Sequence, residues 1–94
     1  MLVIAHHNVS DPEHFWSAAE EVTKNLPAGL KLHGVYPATD GKTGTCLWGA
    51  ENVQQVQEFL DKNAGQWAKN FCYEVNVEQS VGLPTIQMEE VHLS

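Results

Sequence analysis

The run Leu2-Val3-Ile4-Ala5-His6-His7-Asn8 constrains this chain more than any other stretch. Four aliphatic residues in succession, with turn chemistry from Ser10 onward, read as a strand covered on both faces and so as an interior strand of a sheet. Side chains alternate across a strand, which puts Leu2, Ile4 and His6 on one face and Val3, Ala5 and His7 on the other. The adjacent histidines therefore point in opposite directions, and one strand of one protomer cannot bring both to a common metal ion. An imidazole buried near the end of such a strand needs a hydrogen-bond partner or a shifted titration. His6 and His7 are on that ground the first candidate site residues.

The following residues supply two helices and three more strands. Asp11-Pro12-Glu13 is a helix start: Asp11 can cap free N–H groups, Pro12 fits the first helical position and Glu13 suits the positive end of the dipole. Phe15, Ala19, Val22 and Leu26 then form one helical face, expected to pack on the sheet, until Leu26-Pro27-Ala28-Gly29 ends the helix. Leu30 to Tyr36 alternates over its first half like an edge strand. A turn cluster containing Asp40-Gly41 joins it to Thr45-Ala50 in a hairpin. Asn52 caps a second helix, with Gln55 in the capping-box position and Val53, Val56, Phe59 and Leu60 on its apolar side. Ala64-Gly65 ends or bends that helix, and Gln66 to Asn70 is compatible with a further helical turn. Phe71 to Val77 alternates as a fourth strand, with Phe71, Tyr73, Val75 and Val77 on one side. Gly82-Leu83-Pro84 then forces an extended break.

Strand, helix, strand, strand, helix, strand is an α+β order, the ferredoxin-like βαββαβ plan. It predicts a four-stranded antiparallel sheet in the order 4-1-3-2 with both helices on one face, a single domain over 1–84, and an unassigned arm over 85–94. The helix-free face should not be polar, because strands 1, 3 and 4 carry apolar residues on both sides: Val3 and Ile4, Leu47 and Trp48, Cys72 and Tyr73. Four strands about 4.8 Å apart and roughly 17 Å long leave a face of about 300 Å². That is comparable with the largest apolar patch a monomer usually shows, and a chain of 94 residues gains from a partner. A homodimer joined sheet to sheet is expected.

The run from His6-His7 through Asp11, Phe15-Trp16, Leu26-Pro27, Cys46-Leu47-Trp48, Asn70 and Tyr73 to Gly82-Leu83-Pro84 resembles the dimeric α/β barrel superfamily, in particular its small bacterial members. The resemblance covers residues 1 to about 84. It implies two ferredoxin-like protomers packed sheet against sheet, with a pocket between sheet and helices in the members that are enzymes. Cofactor-free oxygenases, polyketide-type cyclases, haem enzymes and small binding proteins all share this architecture, so fold analogy does not choose among them.

Composition excludes some partners. Twelve acidic residues stand against five lysines, with no arginine and a formal charge of −7. There is no bidentate phosphate fork and no basic patch, so nucleic acid is not an expected partner. No apolar run approaches the roughly 20 residues that span a bilayer, and no basic region precedes the first apolar run. No membrane partner is therefore expected, and a cytoplasmic location is. Cys46 and Cys72 lie in apolar strand-like stretches on strands that flank strand 1, about 9.6 Å or more apart and beyond the reach of a disulfide. Both read as core residues, and nothing marks either as an exposed, electropositive thiolate. Without an HxxxH, CxxC or clustered-carboxylate motif, neither a metal nor a cofactor is expected.

The ligand-binding candidates are His6, His7, Trp48 and Tyr73, and no residue is assigned a catalytic role. Trp48 offers a flat wall to an aromatic ligand if it lies on the helix side. Tyr73, early in a strand antiparallel to strand 1, should lie near the histidine end, where a His–Tyr hydrogen bond could act on a phenolic substrate. His33, on the outer strand, and His14, in the first helical turn, are expected to face solvent. Three functions stay open. They are small-molecule binding between sheet and helices, a cofactor-free monooxygenase- or cyclase-like enzyme using a strand histidine, and a structural dimer without a ligand.

Overall fold

A computed structural model describes residues 1–83; the expected arm over 85–94, with His92 in it, lies outside the described residues. The elements are β1 (Leu2–Val9), α1 (Pro12–Val22), β2 (Lys31–Pro37), β3 (Thr43–Gly49), α2 (Val53–Ala64) and β4 (Ala68–Glu74). The sheet order is β2-β3-β1-β4, every pair antiparallel, which is the expected 4-1-3-2 ferredoxin-like plan with β1 interior.

Strand β1 feeds three clusters, one of them through Val9 with Phe15, Ala64 and Ala68. Val3 and Ala5 join Trp48, Val56, Leu60, Cys46 and Cys72 beneath the helices. Leu2 joins Leu47 and Val75 on the other face. The helix starts follow the local chemistry. The Asp11 carboxylate accepts the His14 backbone N–H at 3.2 Å, and Asn52 Oδ1 accepts the Gln55 N–H at 2.8 Å. Gln55 Oε1 in turn accepts from Glu51 N–H, one residue ahead of the cap, a capping box displaced by one position.

Three expectations are revised by tertiary contacts. Helix α1 stops at Val22, a turn before Leu26, where the Thr23 hydroxyl donates to Ala19 O at 2.8 Å. Of its residues only Phe15 is fully buried, so the face drawn through Ala19 and Val22 does not pack flat on the sheet. Strand β4 begins three residues earlier than Phe71, because Ala68, Lys69 and Asn70 pair with Val9, Asn8 and His7 of β1. Pairing along the full length of β1 outweighs the helical option for Gln66 to Asn70, and Trp67 N–H simply closes α2 onto Ala64 O. His33 is the extra residue of a β-bulge between Leu32 and Gly34, and it lies half-buried beside Gly49 rather than in solvent.

The helix-free face is not bare along its whole length. Beyond β4, Val75 N–H bonds Leu2 O at 2.9 Å, and Val77 and Leu83 pack back over Leu2, Ile4 and Leu47. In the His6 row of the same face Phe71 and Tyr36 remain exposed, and Tyr73, in the Ile4 row, is exposed as well. The outer edge of β4 is protected differently. Gln57 of α2 donates to Asn70 O at 2.7 Å and accepts from Cys72 N–H at 3.1 Å, occupying two ladder groups that another strand could otherwise pair with.

Candidate functional site

Because α1 meets the sheet mainly through Phe15, a cavity of about 170 Å³ is left between the helices and the sheet. Phe15, Trp16, Trp48 and Phe59 form its aromatic walls, and His7 and Cys46 lie on the sheet side. The Trp16 wall is held in place from two directions. Its Nε1–H donates to Gly41 O at 2.8 Å, and its ring lies over Gly44, where an added Cβ would stand 2.5 Å from the Trp16 Cη2 atom. Glycine at position 44 is therefore a requirement of close approach.

The register decides what reaches the cavity floor. Gly44, His7 and Asn70 form one row across β3, β1 and β4, and Cys46, Ala5 and Cys72 form the next. His7 is completely buried, the only polar or charged residue among the described residues to be so, and it sits 5.1 Å from the Phe15 ring. Its Nδ1 lies 2.7 Å from Asn70 Oδ1, and its Nε2 lies 3.1 Å from Cys46 Sγ. The Asn70 amide nitrogen donates to Asp61 Oδ1 at 3.2 Å, which turns the amide oxygen toward His7. An oxygen can only accept, so His7 carries its proton on Nδ1 and offers the Nε2 lone pair to the Cys46 thiol.

Burial, the largest influence, holds the His7 pKa below its ordinary value of 6.5; the Asn70 bond opposes this and the neighbouring His6 adds to it. Cys46 is pushed up to about 12, chiefly by burial and secondarily by Cys72. Cys72 rises to about 11 through burial and then Asp61. The resting pair is thus a neutral thiol donating to a neutral imidazole. Both cysteines are unbridged, as the strand spacing predicts.

Trp48, 1% exposed, stands two residues beyond Cys46 on the same face of β3 and meets Phe59 edge-on at 5.8 Å. Its buried indole N–H has no acceptor among the described residues. A buried donor without a partner is costly in an otherwise apolar setting.

Compared with known proteins, the chain matches no family model, no curated protein and no solved structure. The site has to be read from its own geometry.

Of the four residues singled out from the sequence, the cavity collects two, His7 and Trp48. His6 and Tyr73 belong to the helix-free face, where His6 shares a row with Tyr36, Thr45 and Phe71, and Tyr73 lies opposite Ile4. The expected His–Tyr bond is not made by the buried histidine, whose two ring nitrogens are taken by Asn70 and Cys46. Asn70, Asp61 and the role of Cys46 were not read from the sequence as site features. The available signal was parity alone: Cys46 and Trp48 share a face two residues apart, and an antiparallel β4 brings its early residues to the histidine end.

His14 is exposed, as expected, bonded to Asp11 at 2.6 Å and stacked on Trp67 at 5.8 Å. Among the described residues no three His, Cys, Asp or Glu side chains are grouped to hold a metal ion, and no helix is long and apolar enough to cross a membrane.

Proposed function

We propose that the protein binds a small apolar or aromatic molecule in the cavity between the sheet and its two helices. The observation that carries this reading is an aromatic-walled space of about 170 Å³ between the sheet and the helices. An apolar cavity of about 150 Å³ accepts benzene, so the size suits a single ring.

The cavity reading goes with two further proposals. One is a homodimer of the dimeric α/β barrel type, joined through the exposed end of the helix-free face, where Phe71 is 65% and Tyr73 45% exposed. The other is a reducing, cytoplasmic location, supported by two unbridged buried thiols. A second functional reading, an enzyme using a strand histidine, is favoured by the single tautomer in which Asn70 holds His7.

Thermal unfolding in the presence of phenol and of toluene tests the binding. A ligand that binds only the folded state raises the melting temperature with concentration. Both should raise it, and filling the cavity by Ala19→Phe should remove both shifts. Equal shifts in the filled variant, or none in the parent protein, would overturn the reading.

A further inference from the structure

We infer that Cys46, His7 and Asn70 form a nucleophile, base and orienting residue that accept an acyl group from an activated ester or thioester of a small apolar acid. The inference rests on the reading of the cavity as a small-molecule site and gives that site a reaction. Two observations carry it. Cys46 Sγ lies within hydrogen-bond reach of a histidine nitrogen whose lone pair is available, and that histidine is oriented through its other nitrogen by an amide anchored on a carboxylate. This is the arrangement by which a weakly nucleophilic side chain is activated. The thiol and imidazole both line a cavity large enough for one ring.

The chemistry balances without an added oxidant or metal. Cys46 Sγ adds to the acyl carbonyl carbon while its proton passes to His7 Nε2. The carbonyl oxygen takes up the electron pair. As the carbonyl re-forms, the bond to the leaving oxygen or sulfur breaks, and the leaving group takes the proton from His7. The acyl group remains on Cys46 as a thioester. Water then adds to that carbonyl as His7 accepts its proton, the C–S bond breaks, sulfur recovers the proton, and the free acid departs.

Asn70 is a positioning residue in this scheme, keeping the Nε2 lone pair on the thiol. The titratable and charged groups around His7 are Cys46 on β3, Asp61 of α2 through Asn70, Glu20 of α1 at the cavity wall, and His6 beyond the opposite face of β1. Since the thiol stays protonated to about 12, attack proceeds by base-assisted transfer rather than by a free thiolate.

Cys72 is an internal control. It sits on the other side of Ala5, is 9% exposed against 7% for Cys46, and its thiol is not bonded to His7, whose two ring nitrogens are taken by Asn70 and Cys46. The experiment treats the full chain with p-nitrophenyl acetate, follows p-nitrophenolate release, and locates acetyl groups by peptide mass spectrometry. The expected result is acetylation of Cys46 ahead of Cys72, at a rate that stays level from neutral to mildly alkaline pH. His7→Gln should lower that rate by about 100-fold or more, and Asn70→Ala by less. Acetylation of Cys72 at an equal rate, a rate rising in proportion to hydroxide, an unchanged rate in His7→Gln, or no acetylation at all would each overturn the inference. If His7→Gln fails to fold by circular dichroism, the pH profile of the parent protein and the Asn70→Ala rate decide. Phenol binding without acetylation overturns the triad alone, whereas loss of both removes the cavity reading with it.

Discussion

The two faces of the sheet begin from the same alternating strands and end as different environments. Beneath the helices His7 is sealed among Phe15, Trp16 and Cys46, neutral, with both ring nitrogens engaged. One residue away His6 is only half-buried, on a face that the chain's own Val75, Val77 and Leu83 cover at one end and leave open at Phe71 and Tyr73. Adjacent identical side chains thus acquire unlike chemistry from burial and partners. The same contrast separates the cysteines. Both flank Ala5, yet only Cys46 meets an imidazole.

The largest test of this contrast is to remove an aromatic side chain from each face. Trp48→Ala should destabilise the fold by about 3–5 kcal/mol in urea unfolding, since the ring is buried and the surrounding aromatic walls collapse only partly. Tyr73→Ala, on the helix-free face, should cost below about 1 kcal/mol at concentrations where the chain is monomeric. Equal losses would mean that the two faces are equally packed.

Next in size is the polar network. Asn70→Ala leaves the His7 Nδ1–H buried without an acceptor and should cost about 1–3 kcal/mol, again by urea unfolding. His6→Gln should stay within about 0.5 kcal/mol. A His6 effect as large as that of Asn70 would show that the helix-free face also holds a satisfied buried histidine.

Association sharpens the comparison from the other side. If the homodimer forms through the exposed aromatic end, Phe71→Ser should weaken it by about 1–2 kcal/mol, roughly tenfold or more in dissociation constant by sedimentation. Phenol-induced stabilisation should survive in that variant. Loss of ligand effects in Phe71→Ser would link the two faces.

The smallest effect is a pH dependence. The His7 pKa is lower in the folded chain than its ordinary value of 6.5, so the unfolded chain binds the proton more readily. The resulting stability is complete above about 6.5 and is lost as pH falls through the interval down to the folded value. Melting temperatures measured from neutral to mildly acidic pH should show this slope in the parent protein and in His6→Gln, but not in His7→Gln. An unchanged slope in His7→Gln would assign it to another group.

Much of the fold was legible because it is local. The unbroken apolar run made β1 interior, strand alternation sent His6 and His7 to opposite faces, and Asp11 and Asn52 marked the helix starts that the backbone adopts. The helix-side placement of Trp48 could be framed as a condition but not resolved, since parity distinguishes two faces without saying which one the helices cover. The start of β4 is not legible locally, because Ala68, Lys69 and Asn70 have no strong strand preference and become a strand only by pairing with β1.

What the sequence by itself determined is therefore the order of elements, the interior strand and the division of its side chains between two faces. All follow from periodicity and capping within a few residues. The tertiary structure alone decided that His7 meets Asn70 and Cys46, residues 63 and 39 positions away, because strand register and not local pattern chooses such partners. It also decided that α1 touches the sheet through Phe15 and leaves a cavity above Trp48, since the space between packed layers depends on side chains contributed by every element that borders it.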